Sequence, residues 1–491
     1  MNSRAACIGL ILLATVFTGC LPEAKITWSP DGTYALVRGG DGLRLCDAAG
    51  NLSPPIAENV RAVAWMPDSK QFIAACGKSV TTWEALLGHL SDERKGRAKA
   101  LAEDFRRQIL AYKGSWDGFS FQARPDDIMA ALMCLRDEYG KELAPVVGKK
   151  WAELQGAQHT IFQMQLFEVA DGTAKAGKVL CESIEPVAEI RVAPTGKAFG
   201  YAAPPYPPKN ADPAFSLFVA SMAAPDKPSR VGCPVSIFFD WTPDGQSVVF
   251  ANAAVPDPNA GSSVCSSMPV IGLGTEERAV TYNRFRMRDR GQQFALRAGN
   301  IVNCRIVNQD GNLAAEPHPQ YEASVLFFDS LPVRCLRNGT ILFACMEAHL
   351  PAARGVAAGR VGLFSLDPAD PKTAKPVTMP KALEEAGTRL ELLQLSPDET
   401  RAAIPTNSGK VFILNLVSDE ATEVPVKIKN GRFPTIPVWR TNDELCFVVP
   451  AGSALGSPNG EEVVLWSPAG SRCLSKDWPE PATKGFLDRD K

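Results

Sequence analysis

The chain lacks the residues and short motifs that most catalytic sites require. It contains only 4 histidines, which stand in four separate segments without metal-ligand spacing: His89, His159, His318 and His349. No C-x-x-C, H-E-x-x-H, G-x-S-x-G, Walker A or G-x-G-x-x-G motif occurs. Zinc ribbons, thioredoxin-like redox sites, common hydrolases and nucleotide-binding sites therefore have no support, and the sequence predicts neither a cofactor nor a metal.

The chain also lacks an excess of charge of either sign. Lys and Arg number 52 against 54 Asp and Glu, and no basic stripe appears. A nucleic acid is therefore not expected as a partner, because such proteins carry a basic patch or stripe. The hydrophobic fraction of 45% is ordinary for a globular protein and supplies a full core.

The first twenty residues have the pattern of a secretory signal. Arg4 supplies a positive start, and residues 5–17 form an apolar run of 13 residues. Such a run is too short to span a bilayer as a mature helix but has the length of a signal-peptide apolar region. The sequence therefore predicts export.

The end of this run, VFTGC at 16–20, resembles a bacterial lipobox. In that signal small residues precede the cysteine that is lipidated and becomes the mature N-terminus, and Phe17 stands where Leu is commonest. The resemblance implies that residues 1–19 are a lipoprotein signal peptide and that Cys20 carries the lipid. It implies a protein of the bacterial cell envelope, on the periplasmic side or the cell surface, that contacts the membrane through its lipid. The alternative is a plain signal peptide with a chance cysteine.

The remaining cysteines follow no disulfide pattern. Of 13 cysteines, eleven remain after Cys7 and Cys20 are set aside, so at least one is unpaired unless it bridges two chains. An oxidising compartment would allow a disulfide, but the sequence does not give its pairing. Several lie in strand-like runs, where cysteine acts as a small hydrophobic residue: Cys46, Cys76, Cys345 and Cys446.

A repeated corner organises the rest of the chain. Residues 28–32 read Trp-Ser-Pro-Asp-Gly and stand between two apolar runs. Proline presets φ for a tight turn, aspartate caps the turn through the backbone, and glycine takes the position with positive φ. The pattern predicts a hairpin corner between two strands.

Eight copies of this corner can be aligned. The clear copies are at 28–32, 65–69, 192–196, 241–245 and 395–399, and the weaker ones at 285–296, 333–343 and 438–447. A strand-patterned unit recurring every roughly 40 to 50 residues is typical of a β-propeller. The sequence therefore predicts an all-β propeller of eight blades, or seven if two weak copies belong to one blade. An ordinary β-sandwich with repeated turns is the alternative.

The repeated aspartates invite a metal interpretation, with one carboxylate per blade. They are Asp31, Asp68, Asp244 and Asp398. Capping of the turns explains them without an ion, and we predict that role.

One segment breaks the strand pattern. Within residues 84–155, apolar residues recur at spacings of three and four, as on one face of a helix: Ala98, Leu101, Phe105, Ile109 and Tyr112. Ser91 suits an N-cap and Pro125 suits a first helical turn. We predict a helical hairpin inserted into blade two, which divides the propeller into residues 20–83 and 156–491.

The repeated W-S-P-D-G corner resembles the repeat of TolB-type propellers, relatives of WD-repeat propellers found in bacterial envelope and peptidase-associated proteins. The resemblance covers nearly all of the mature chain except the helical insertion. It is not to TolB itself, which is not lipidated and carries a separate N-terminal α/β domain, whereas here the first blade begins right after Cys20. The family offers no shared catalytic residues, and its members mostly bind proteins or ligands. The resemblance therefore implies an interaction scaffold and not an enzyme.

The helical insertion is the predicted contact for an envelope protein or glycan, because a propeller needs no helix to fold. Arginines that alternate along one strand share a face and suggest an anionic contact patch. The candidate contact residues are Leu101, Phe105, Tyr112, Arg284, Arg286 and Arg288. The alternatives are a helical decoration packed on the blade edge and a solvated row of arginines.

An enzyme or small-ligand binder in the central channel is the competing hypothesis. It would need charged groups that converge on the innermost strands of several blades. Those strands are almost wholly apolar in sequence, with Asp240 as the conspicuous exception.

Replacing Cys20 tests the lipid anchor. We expect Cys20→Ser to abolish incorporation of labelled palmitate and to shift the protein from the detergent phase to the aqueous phase in Triton X-114 partition, because the acyl chains supply the membrane affinity. Cys7→Ser is the control and should change neither readout. Unchanged labelling of Cys20→Ser would contradict the lipobox assignment.

Overall fold

The computed structural model describes residues 24–113, 125–148, 151–204, 215–253, 287–289, 292–294, 296–309, 312–317, 323–328, 332–346, 361–367, 369–406, 408–425, 436–449 and 461–483. Most of this part is β-strand, and the sheets are antiparallel. Within it, no helix combines the length and the apolar character needed to cross a bilayer.

The first two sheets follow the order of the chain. The first contains β1 (Ile26–Trp28), β2 (Tyr34–Gly39) and β3 (Gly42–Asp47). Isolated bridges from Leu43 to Ala57 and from Cys46 to Leu52 add an irregular outer segment to it. The second contains β4 (Val60–Trp65), β5 (Gln71–Val80), β6 (His159–Ala170) and β7 (Thr173–Ser183).

The next sheet is larger, because one long strand belongs to two halves of it. Its strands are β8 (Glu189–Val192), β9 (Ala198–Ala203), β10 (Phe215–Ser221), β11 (Ser229–Trp241), β12 (Ser247–Ala253), β15 (Leu296–Gln309), β16 (Asn312–Pro317) and β17 (Ala323–Phe328). The first part of β11 pairs with β10, and its last residues pair with β12 after a register shift between Val235 and Phe239. A separate hairpin joins β13 (Met287–Asp289) to β14 (Gln292–Phe294).

Three four-stranded sheets complete the described chain. They are β18 (Val333–Cys335), β19 (Ile341–Met346), β20 (Val361–Asp367) and β21 (Asp370–Pro376); β22 (Gln394–Leu395), β23 (Arg401–Pro405), β24 (Val411–Asn415) and β25 (Ala421–Glu423); and β26 (Val438–Trp439), β27 (Leu445–Val449), β28 (Glu462–Ser467) and β29 (Gly470–Cys473). Each has its strands in sequence order, as hairpin connections require.

A helical unit lies between β5 and β6. It comprises α1 (Trp83–Leu87), α2 (Asp92–Ala111), α3 (Pro125–Val147) and α4 (Trp151–Gln155). The side chain of Ser91 caps α2 by accepting from the backbone N–H of Arg94, and Pro125 is the first residue of α3, as the sequence predicts. Two short helices lie further along, α5 (Lys381–Glu385) and α6 (Glu480–Thr483).

The corner turns have the predicted geometry. Asp31 accepts a hydrogen bond from the Ser29 hydroxyl at 2.6 Å and from the Thr33 backbone N–H at 2.9 Å. Asp244 and Asp398 repeat the pair of bonds, and Asp68 repeats the backbone one. Burial would raise the pKa of Asp31, but these donors outweigh it and lower that pKa. Gly32 follows with φ of +70°.

The apolar cores lie between successive sheets. Leu36 and Leu43 of the first sheet pack with Phe72 and Phe167 of the second, and the two phenyl rings stack at 4.9 Å. Equivalent clusters join each sheet to the next. One further cluster joins the last sheet back to the first, where Trp28 packs with residues of β27 and β28.

Tryptophans of the corners tie neighbouring sheets together. The indole N–H of Trp65 in β4 donates to the carbonyl of Thr27 in β1 at 2.9 Å. Trp439 donates in the same way to the carbonyl of Gln394 in the preceding sheet, and Trp241 donates to that of Arg191 in the other half of its own large sheet, both at 3.1 Å. Each of these tryptophans therefore fills its own corner and also donates to a backbone carbonyl of the neighbouring innermost strand, which is the first strand of its blade.

The first and last sheets are joined by different residues. Arg440 Nε donates to the carbonyl of Gly32 at 3.0 Å, and its guanidinium lies 5.4 Å from the centre of the Trp28 ring. The indole N–H of Trp478 donates to the carbonyl of Gly50 at 2.8 Å. These contacts bring together residues from the two ends of the described chain.

All nine described cysteines are free thiols. Burial raises the pKa of Cys46 and of Cys446 to about 12, so both act as small hydrophobic residues, as the sequence predicts. The side chains of Cys7, Cys20, Cys233 and Cys265 lie outside the described residues.

Trp65→Phe tests the bond between neighbouring sheets. It removes the donor to Thr27 and leaves a void, so we expect a loss of about 2–3 kcal/mol in the free energy of unfolding, measured by urea denaturation. Trp28→Phe is the matched control, since within the described chain the Trp28 indole N–H donates to no backbone carbonyl and faces the thiol of Cys446, a weak acceptor. The control should lose about 1 kcal/mol less. Equal losses in the two variants would show that the hydrogen bond contributes nothing.

Candidate functional site

Charged side chains from three inner strands meet beside one another. The strands are β8, the last part of β11, and β18, and β11 contacts both of the others. The charged residues on them are Glu189, Arg191, Asp240 and Arg334. We refer to these four side chains as the inner cluster.

Arg191 lies between two carboxylates. Its Nε is 3.1 Å from Glu189 Oε1 on the same strand, and its Nη1 is 3.6 Å from Asp240 Oδ1 on β11. Glu189 and Arg191 stand two residues apart, which places them on the same face of β8. All three side chains are between 20% and 25% exposed, so the ion pairs are only partly screened by solvent.

Asp240 also connects β11 to β18. Its Oδ2 accepts from the backbone N–H of Cys335 at 3.1 Å, and its Oδ1 accepts from the backbone N–H of Trp241 at 3.0 Å. One carboxylate thus pairs with Arg191 and fixes the backbone next to Arg334. The positions of the two arginines are therefore set by a common residue.

Arg334 is the most buried member of the inner cluster, with 6% of its surface exposed. Its Nη1 donates to the carbonyl of Val333 at 2.9 Å, and its guanidinium lies 5.5 Å from the centre of the Phe238 ring. Among the described residues it forms no ion pair with a carboxylate. A neighbouring ring and one carbonyl are weak compensation for a buried charge.

The two arginines respond differently to burial. Burial alone would lower the pKa of Arg191, but Asp240 and Glu189 outweigh it and raise that pKa. The pKa of Arg334 is lowered to about 10, first by burial and then by the positive charge of Arg191. The charged form of Arg334 is therefore destabilised by its surroundings, whereas that of Arg191 is stabilised.

The nearest thiol is not activated. Burial, and then the negative charges of Asp240 and Glu399, raise the pKa of Cys335 to about 12. A nucleophilic cysteine has its pKa lowered by positive charge instead. The inner cluster is thus suited to holding a charged group by ion pairing and hydrogen bonds.

The predicted contact face of the helical unit is largely turned inwards. Phe105 is fully buried against α3, while Leu101 and Tyr112 are half-buried. The helical periodicity was predicted correctly, but the apolar face packs on the neighbouring helix of the hairpin. Phe105 is therefore part of the core of the helical unit, and a partner cannot reach it in this arrangement.

The other predicted contact and lipidation residues lie largely outside the residues that the structure describes. Cys20, Arg284 and Arg286 are outside the described residues, and for Arg288 only the strand β13 is described. The signal segment 1–19 is likewise outside them. The lipid anchor and the arginine patch therefore stay predictions.

Sequence reasoning singled out Asp240 but missed its partners. Glu189 and Arg191 alternate with apolar residues in β8, and Arg334 stands between Val333 and Cys335 in β18. A charged residue inside a short apolar strand was the available signal. This signal does not show which face of the strand lies against the neighbouring sheets, so the sequence alone does not show that these residues meet.

An ion pair, a hydrogen bond and a groove mark the junction of the helical unit with β7 and the residues that follow it. Arg94 Nη1 is 2.7 Å from Glu185 Oε1, and His89 Nδ1 is 2.7 Å from Glu182 Oε2. An open groove of about 440 Å³ lies beside His89 and Glu182. These contacts hold the helical unit against the outer strand of the second sheet.

Comparisons with known proteins give no family assignment. No family model matches the chain, and no curated protein matches it. An acylaminoacyl peptidase from Pyrococcus horikoshii is similar in structure, with 10% identity, a TM-score of 0.36, and coverage of 64% of this chain and 41% of the peptidase. The tricorn protease has 11% identity, a TM-score of 0.33, and coverage of 65% and 25%. The chain thus spans less than half of either protein.

A third solved structure is covered almost completely. It is the β-propeller domain of Cps50 (Swd1) from Myceliophteria thermophila, with 9% identity, a TM-score of 0.41, and coverage of 91% of this chain and 96% of that domain. The stacked antiparallel sheets of the chain itself, joined through shared cores, are those of a β-propeller type of fold.

Proposed function

We propose that the protein is a lipid-anchored β-propeller of the bacterial cell envelope that acts as an interaction scaffold. The observation that carries this proposal is the position of the helical unit, which extends from a sheet that is complete without it. The lipid anchor and the envelope location rest on the signal segment at residues 1–20. The TolB-type resemblance of the repeated corner supports the same role.

The propeller in this proposal has seven blades. The shared strand β11 counts twice, as the outer strand of one blade and the inner strand of the next. The strand β15 pairs with β12 and so belongs to the fourth blade, which leaves no separate blade between β12 and β18 among the described sheets. Contacts between inner strands run from β1 to β4, β8, β11 and β18, and from β22 to β26.

Two further contacts support a closed ring. Arg337 donates to the carbonyl of Pro397 at 2.7 Å, which joins the sheet of β18 to the sheet of β22. β26 contacts β1 at the other end. The first and last sheets share no strand, so the proposed ring closes by face packing of the last blade on the first.

The helical unit is the proposed partner-binding element. The ladder of β5 and β6 runs without a break from Gln71 to Val80, and the last pair is Val80 with His159. The helices beyond this pair share one apolar core, to which the strands contribute Val80 and Ile161. We infer that the blade can form without the helices, because its ladder is continuous up to this pair. Leu110, with 46% of its surface exposed, is the proposed apolar contact on α2 for an envelope protein or glycan, whereas Leu101 packs against the helical core and Tyr112 is half-buried.

Ligand binding or catalysis in the central channel is the second candidate function. The inner cluster favours it, because charged groups from three successive blades converge there. Its groups are two carboxylates and two guanidiniums, and the neighbouring thiol of Cys335 has a raised pKa. That set suits binding better than catalysis, so ligand binding is the stronger form of this alternative.

A photo-crosslinking amino acid at Leu110 tests the scaffold role in intact cells. We expect a discrete crosslinked species of higher mass, because residue 110 lies on the exposed side of α2. The matched control is Val417, which is 81% exposed but lies in the turn between β24 and β25 and should give no such species. A variant in which Asn-Gly replaces residues 81–158 should stay folded by circular dichroism, since such a turn suits the end of the β5–β6 ladder. The proposal fails if both positions crosslink alike or if this variant unfolds.

A further inference from the structure

Arg334 stands apart from the other buried arginines. Arg44 and Arg94 are buried to a similar degree, at 8% and 6% exposure, but each is paired with a carboxylate. Arg334 has the carbonyl of Val333 and the face of Phe238 instead, and no carboxylate pairs with it in the part of the chain that is described. A guanidinium carries five donors, so most of its hydrogen-bonding capacity is left for another group.

The charge of Arg334 is only partly neutralised by its surroundings. Asp240 and Glu189 favour its charged form, but both pair with Arg191, and neither forms an ion pair with Arg334 in the described chain. Arg191 in turn places a second positive charge beside Arg334 and disfavours its charged form. A buried charge that is unpaired is costly, and a bound anion would remove that cost.

We propose that a small anion binds at the inner cluster, where β8, β11 and β18 meet, with Arg334 as its principal contact. The ligand class is a carboxylate or phosphate group, because the planar fork of a guanidinium matches two oxygens of either group. The Phe238 ring packs against the guanidinium and fixes its plane. Asp240 holds the backbone of β18 in place through Cys335. This inference deepens the second candidate function and does not depend on the helical unit.

Titration calorimetry and thermal unfolding with inorganic phosphate test the site. The wild-type protein is titrated with sodium phosphate in a zwitterionic buffer, and sodium chloride at equal ionic strength is the control for screening. We expect saturable heat and a saturable rise in Tm with phosphate only, because a ligand that binds the folded state stabilises it. Sodium acetate in a third arm separates a carboxylate from a phosphate, and glycerol phosphate separates an organic phosphate from the free ion.

Arg334→Met separates an anion site from a structural arginine. Without added anion, we expect the Tm of R334M to exceed that of the wild type, since an apolar side chain of similar length removes an unpaired buried charge. Its affinity for phosphate should fall by roughly tenfold or more. Arg337→Gln is the matched control, because Arg337 lies three residues away with 73% of its side chain exposed, and it should bind as the wild type does.

The outcomes decide the proposal. If neither phosphate nor acetate gives a response beyond that of chloride in the wild type, the proposal is overturned. Unchanged anion binding by R334M overturns it as well. If R334M does not fold, Arg334→Lys takes its place. It keeps the charge but loses the fork, so binding equal to that of the wild type would contradict a guanidinium contact. The variant without residues 81–158 should keep the phosphate response, so failure of the scaffold role and failure of the anion site are separate results.

Discussion

The packing of each sheet on the next is the interaction on which the rest of the structure depends. Described sheets bury their largest side chains in clusters shared with a neighbour, as where Leu36 and Leu43 meet Phe72 and Phe167. Such sheets gain their stability from the interfaces between them, so no blade is stable alone. The indole hydrogen bonds at the corners also fix how neighbouring innermost strands are aligned, because each indole N–H donates to one backbone carbonyl of the neighbouring strand.

The inner cluster follows from the same arrangement. Arg191, Asp240 and Arg334 stand far apart in the sequence and meet only because three blades are adjacent. Asp240 joins two of these blades by a hydrogen bond and an ion pair, so it positions both arginines. The outcome is one arginine, Arg191, that forms ion pairs with two carboxylates and one, Arg334, that forms none among the described residues. That asymmetry, and not the number of charges, suggests a ligand.

Local features were predictable from the sequence, whereas features that depend on the assembly were not. The proline, aspartate and glycine of the corner act through atoms a few residues away, and the turns at Asp31 and Asp244 have the predicted form. Ser91 is likewise predictable as a cap. The double role of β11 was not predictable, because the sequence of its 13 residues does not show that the register shifts after Val235. The burial of Phe105 and the convergence on Asp240 were missed for the same reason, since a periodic face does not identify its neighbour.

Closure of the ring is the central claim, and a double-mutant cycle between Trp28 and Arg440 tests it most directly. These residues come from the first and last blades, and the guanidinium lies 5.4 Å from the ring centre. Urea denaturation of Trp28→Leu, Arg440→Met and the double variant gives their coupling energy. The account predicts a favourable coupling of about 0.5–2 kcal/mol. Strictly additive losses would contradict a closed ring, because residues of separated blades would not interact.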